Sequence, residues 1–315
     1  MAGLLTLGWR ADAGARIGKR RLFDLATTTV AALAICAATA VGVLEQSSLD
    51  SDSGTTQQDS GSARDSIAPG RETVIAAYTG APYNYPSAAR IVDPGEADFT
   101  IDPVNWYTNP FKNPIYYGAR VAHWLPGGTA GAGIDFIHSK AIAPLDEEVN
   151  FSGTRNGQEL PPRARIRDII NKLEFSHGHN MLLFNGMLRL PNIGARISPY
   201  VGAGAGILLP HTELQFTDGA KPRTYEYNYA GPAAQALFGF EVRLAKVSFF
   251  IEYKYTYADY EAPLSEMDGS WLFLDMYRQI KRWFDGEPPP GGHITTTIAS
   301  HQVVGGLAVR IAPAR

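Results

Sequence analysis

From Arg71 onward, apolar and polar residues alternate in segments of about ten, the period of a strand whose two faces meet different surroundings. Eight segments carry the pattern: 72–80, 115–125, 130–140, 180–190, 198–211, 233–244, 247–258 and 294–311. It is clearest in 247–258, where Phe249, Ile251, Tyr253, Tyr255 and Tyr257 share one face and Phe250, Glu252, Lys254 and Thr256 the other. A tilted strand of about ten residues spans a bilayer.

The connections alternate in length. Pro126–Thr129, Pro191–Ile197 and Ala245–Lys246 are short, whereas 81–114, 141–179, 212–232 and 259–293 are long. The sequence therefore predicts an all-β fold: an eight-stranded antiparallel up-and-down transmembrane β-barrel, with long extracellular loops that carry short helices. Turns and both barrel ends are expected in the periplasm of a Gram-negative bacterium. Helices are predicted in two loops. In 164–175, Ile166, Ile169, Ile170 and Leu173 form a stripe beside Arg165, Arg167 and Lys172; in 270–284, Trp271, Leu274, Ile280 and Trp283 lie near Arg278, Lys281 and Arg282. Such segments suit either an anionic membrane face or a packed barrel mouth.

Ahead of the barrel, Arg10, Arg16, Lys19, Arg20 and Arg21 precede an apolar run at 22–44 containing Ala38-Thr39-Ala40. This reads as a signal peptide over 1–40, with an uncleaved anchor as the alternative. Residues 41–70 are rich in Ser and Asp and read as a flexible linker, leaving 71–315 as the barrel. Composition narrows the function further. With 28 basic and 31 acidic residues there is no field to draw a polyanion, so nucleic acid is not an expected partner. The single Cys excludes a disulfide framework and a cysteine zinc site.

Alternation also assigns polar residues to the inside: Arg120, Asp135, Asn185, Arg189, Gln235, Glu241, Arg243, Glu252 and Lys254. Eight strands leave an interior that side chains just fill, so the charges are expected to pair with one another instead of lining a channel. Counting up from the turns places His138, His177, His179, His211 and His301 near the outer interface, with His123 at the other side. Strands three to five are neighbours, so His138, His177 or His179, and His211 with Glu213 can converge on a divalent first-row metal of unspecified identity. A row of interfacial histidines without a ligand is the plainer alternative.

The runs GIDFIHSKA (133–141), LEFSHGHNMLLFNGMLRL (173–190), PYVGAGAGILLPHTEL (199–214), GPAAQALFGFEVRL (231–244), FIEYKYTYA (250–258) and SHQVVGGLAVRI (300–311) resemble the lipid A oxidase family of alphaproteobacterial outer membranes. The wider group is similar to small opacity-type barrels. The resemblance implies oxidation of the proximal glucosamine of lipid A, within lipopolysaccharide, to 2-aminogluconate, with dioxygen as co-substrate, a divalent cation and hydrogen peroxide as product. On that reading His138, His177 and His301 are candidates for catalysis, and His138, His177, His211 and Glu213 for the metal. Arg165, Arg278 and Lys281 are candidates for lipid phosphates. The competing reading is a non-catalytic structural or surface-interaction barrel. A deacylase ranks lower, because in His138-Ser139 and Ser300-His301 the two side chains point to opposite faces.

Overall fold

The computed structural model describes residues 70–219, 227–244, 246–264, 272–289 and 291–311. The signal peptide, the linker up to residue 69 and Trp271 lie outside them. In chain order the strands are β1 (Glu72–Asn84), β2 (Ser87–Asp93), β3 (Ala97–Val104), β4 (Tyr117–Trp124), β5 (Ala130–Ile142), β6 (Glu148–Arg155), β7 (Gln158–Glu159), β8 (Arg163–Arg165), β9 (Ile170–Arg189), β10 (Ile197–Leu208), β11 (Glu213–Phe216), β12 (Pro232–Arg243), β13 (Val247–Pro263) and β14 (His293–Ile311). Among the described residues one α-helix, α1 (Leu272–Asp285), lies between β13 and β14 in the chain.

Eight of these strands form a closed antiparallel ring in the order β1, β4, β5, β9, β10, β12, β13, β14. β14 returns to β1 in a register running from Thr73↔Ile311 to Asn84↔Ser300. Closure leaves no unpaired edge in the ring, the condition for putting a sheet into hydrocarbon. The outer face agrees: Ile75, Val121, Ile134, Phe184, Phe238, Phe249, Ile251, Val303 and Leu307 are all exposed. Toward the loop end this apolar belt gives way to Tyr83, Tyr117, Tyr253 and Tyr255. A belt of that extent with an aromatic edge is the surface of a barrel solvated by lipid.

Among the described residues, much of the long connections is strand. β2, β3, β6 and β7 continue the sheet from the loop end of β14, β8 pairs with β6, and β11 pairs with an extended β9. Phe99 packs against Phe151 and Phe216, and Phe175 stacks on Tyr260 at 4.7 Å. With Ile91, Ile101, Ile166, Ile170, Leu173, Ile294 and Ile298 these residues form a dry core above the barrel.

The helix expected over 164–175 is absent. A 3-10 turn occupies Ile166–Asp168, and β9 begins at Ile170, ten residues earlier than the alternation at 180–190 marks it. The cause is a bulge: Phe216 pairs with Ile170 but Gln215 with Lys172, leaving Asn171 as the extra residue on β9. The bulge sets Ile170 and Leu173 three apart on one buried face, which imitates helical spacing.

Inside the barrel two charged layers are stacked. In the middle layer Arg120 donates to both oxygens of Glu252 (2.8 and 2.7 Å) and to Asp135 (2.9 Å). Lys254 donates to Asp135 and to the Tyr78 hydroxyl, each at 2.7 Å, while that hydroxyl donates to the other Asp135 oxygen at 2.6 Å. Tyr200 donates to Glu252 at 2.8 Å, and Gln235 to Asn185 at 2.7 Å. Two cations therefore balance two carboxylates. At the turn end Glu72 accepts from Arg189 (2.7 Å) and Arg243 (2.8 Å), and Arg243 also donates to Glu241 at 3.0 Å. The Arg189 guanidinium lies 3.8 Å from the Trp124 ring centre. A cavity of about 30 Å³ is bordered by Val74, Ala122, Met187 and Phe250.

Two expectations follow directly from this packing. Reconstituted barrel is expected to show no stepwise conductance in a planar bilayer, because paired side chains and the dry core close the bore; a steady open level would contradict the packing. Gly118 faces the Tyr78 ring across the β1–β4 ladder, and a Cβ there would overlap the phenol. Tyr78 cannot swing away without dropping Asp135 and Lys254, so Gly118→Ala is expected to cost about 1–3 kcal/mol. The check is the temperature at which the folded band is lost on a semi-native gel.

Candidate metal centre at the loop end of β9 and β11

The chain returns from β10 to β9 through a tight set of backbone bonds. Leu209 N–H donates to the Asn180 carbonyl at 3.0 Å, and His211 N–H to the Gly178 carbonyl at 2.9 Å. The Asn180 side chain donates to the Leu209 carbonyl at 3.1 Å, using space that a Cβ on Gly178 would occupy. These bonds bring His211 and β11 over the segment carrying His177.

Three ligand-type groups meet there. The Glu213 Oε1 oxygen lies 2.6 Å from His177 Nδ1 and 3.9 Å from His211 Nδ1. The two imidazole rings are 5.3 Å apart, and the ligand atoms of all three residues lie within 4.8 Å of one another. Glu213 is paired across the ladder with Glu174, on the face opposite the buried Leu173 and Leu214. Exposure is graded, from 1% for the Glu213 side chain to 10% for His211 and 55% for His177. Tyr227 flanks the cluster, its ring 5.3 Å from that of His211.

Lys172 organises the carboxylates. Its ammonium binds Glu174 at 2.6 Å and also the second oxygen of Glu213, leaving Oε1 toward the histidines. Burial pushes the Glu213 carboxyl up, but hydrogen bonds from Lys172 and His177 outweigh it and hold the group below its usual range. Burial pulls the Lys172 ammonium down, and its bonds to Glu174 and Glu213 outweigh that and raise it.

Two imidazole nitrogens and one carboxylate oxygen suit a first-row divalent ion. Ligand bonds of about 2.0–2.2 Å put two donors on one ion roughly 3–4 Å apart, so the residues fit such an ion once the His177–Glu213 pair opens slightly and the wider separations close. Glu213 would bind through one oxygen, with Lys172 holding the other.

The remaining candidates are dispersed. His138 is not a member of the cluster: it sits opposite Asn180 in the β5–β9 ladder, its Nδ1 engages the Asn180 amide oxygen at 2.8 Å, and its ring stacks on Tyr117. His179 has the other parity; it is buried and contacts Tyr260. His301 does not join the others either. β14 stands four places from β9 in either direction around the ring, and His301 lies there among Tyr85, Tyr253 and Tyr255. Height along a strand was legible, but position around the ring separates these histidines. Arg165 is exposed at the end of β8. On α1, Arg278 is exposed, and Lys281 pairs with Asp285 at 2.7 Å. The sequence reading missed the organising role of Lys172, which it placed on a helix, and it missed Tyr227, which carries no periodic signal.

No protein-family model matches the chain, and no curated protein matches it. Among solved structures, the crystal structure of Neisserial surface protein A (NspA) aligns at 9% identity with a TM-score of 0.31, over 76% of this chain and 96% of that one. The barrel architecture rests on the closed pairing of this chain's own strands.

Proposed function

We propose that this chain is an outer-membrane barrel of a Gram-negative bacterium, with its loops outside and its turns in the periplasm, that oxidises the proximal glucosamine of lipid A to 2-aminogluconate. The observation that supports the reading is the meeting of His177, His211 and Glu213 as a set of metal-ligand groups at the loop end of β9 and β11. The sequence blocks that resemble lipid A oxidases contain all three residues.

The reaction balances as aldose, dioxygen and water giving the aldonate and hydrogen peroxide: the anomeric carbon is oxidised by two electrons, dioxygen is reduced by the same two, and water supplies the added oxygen. A divalent ion on the three residues would supply Lewis acidity toward the sugar and dioxygen. Glu213 provides the anionic ligand, fixed by Lys172. His177, half exposed, forms the open side toward an arriving sugar, and Tyr227 walls the other flank. The exposed Arg278, Lys281 and Arg165 are assigned to lipid phosphates. His301, on the far side of the ring, is left out of the chemistry.

One observation favours the non-catalytic reading: Lys172 already bridges Glu174 on β9 and Glu213 on β11, so the cluster can serve simply to tie β11 to β9. Mass spectrometry of lipid A from a host expressing the chain, with and without chelator, separates the two. A gain of one oxygen atom that chelator abolishes supports the oxidase. Unchanged lipid A from correctly inserted barrel supports a structural protein.

A further inference from the structure

α1 has two unlike sides. Gln279, which is buried, points down: its amide N–H donates to Asn228 at 2.7 Å and to Asp275 at 2.6 Å, and its oxygen accepts from the Tyr229 N–H at 2.7 Å. Trp283 adds an edge-on contact to Tyr229, with ring centres 5.9 Å apart. On the other side Phe273, Tyr277 and Phe284 are 65%, 64% and 65% exposed. At about 100° per residue these three fall within roughly 40° of one another around the helix. Arg278 and Lys281 are exposed along one edge of that stripe. The basic residues Arg278, Lys281 and Arg282 outnumber Asp275 and Asp285 on the helix.

The helix is continuous with the candidate metal centre. Residues 227–229 join them, with Tyr227 against His211 at one end of the segment and Tyr229 against Trp283 at the other. A row of large aromatic side chains turned outward beside basic residues is the pattern of a helix lying in a membrane interface. Anionic headgroups match the excess of positive charge.

We infer that α1 is a membrane-docking arm, seating Phe273, Tyr277 and Phe284 in the anionic leaflet beside the His177–His211–Glu213 cluster, with Gln279 as the latch that ties the arm to the barrel. The inference rests on the proposed lipid substrate only for the use of the arm; lipid contact itself is independent of oxidation. The arm would hold the leaflet's headgroups, and with them the substrate sugar, against the exposed edge of His177.

The test is nitroxide depth measurement on full-length barrel in vesicles of phosphatidylcholine, with and without phosphatidylglycerol. Two labelled variants are needed, Tyr277→Cys and Glu287→Cys, each with Cys36→Ser so that one position reports. The expected result is a ratio of oxygen to nickel-chelate accessibility several-fold higher at 277 than at 287, rising when phosphatidylglycerol is added and falling with Arg278→Glu. Equal ratios at the two positions would overturn the inference. So would shielding of 277 from both reagents with spin–spin broadening, which would assign the stripe to a second copy of the chain. Because the measurement needs no turnover, a seated arm without lipid A oxidation would fail only the proposed function, and oxidation with the 277 label in water only the arm.

Discussion

Arg120→Met is expected to destabilise the barrel by about 3–5 kcal/mol, the cost of leaving a buried charge without its partner. Arg120 supplies three hydrogen bonds to Glu252 and Asp135 in the middle layer, and its removal leaves two buried carboxylates with Lys254 as the one remaining cation of that layer. The folded band on a semi-native gel should disappear at a markedly lower temperature than in the parent. The pair behaves differently from the single residue. Arg120→Met combined with Glu252→Gln restores the balance of one cation to one anion, so the double variant should be more stable than Arg120→Met alone, a non-additivity expected of groups in direct contact. If the double variant loses the sum of the two single losses, the layer is not held by charge pairing.

The second large effect concerns the cluster at the loop end. Changes to groups that merely orient metal ligands cost about 10–100-fold in affinity, so loss of a ligand itself is expected to weaken divalent metal binding by at least about 100-fold. Glu213→Gln and His211→Ala are the variants to compare, with metal content measured on purified, gel-shifted barrel and lipid A oxidation measured in cells. Both readouts should fall together while the folded band persists, since the three residues lie outside the eight-strand ring's charged interior. His301→Ala is the control, because its place on β14 predicts unchanged metal content. Metal retained in Glu213→Gln would remove the cluster from consideration as a metal centre.

The ring was legible because each barrel strand separates lipid from a side-chain-filled interior, and that contrast writes a two-residue period into the sequence. Segment 247–258 shows it without interruption, and β13 covers it entirely. The cap was not legible for a different reason. β2 and β3 are short, and Pro103 lies within β3, so their buried sets, Ala89 with Ile91 and Phe99 with Ile101, do not extend far enough to be told from irregular loop. The Asn171 bulge went further and turned a strand into an apparent helix. By contrast α1 is helical over Leu272–Asp285, where no partner strand imposes a different period. For the candidate site, the residue types and their height could be read, since both follow from counting along strands. Which histidines meet could not, because that depends on ring order and on the way Leu209 and His211 bind back to β9.

Glu72 opens the first strand, yet its partners are Arg189 on β9, Arg243 on β12 and Arg310, at 3.5 Å, on β14. The turn-end layer therefore cannot be completed until the last strand has met the first. A partly zipped chain would carry this carboxylate and these guanidinium groups into hydrocarbon still seeking one another, at a cost of several kcal/mol for each unmatched charge. The same residues that fill the finished bore thus discourage insertion of an open-seamed intermediate, and they couple entry into the membrane to closure of the β1–β14 seam.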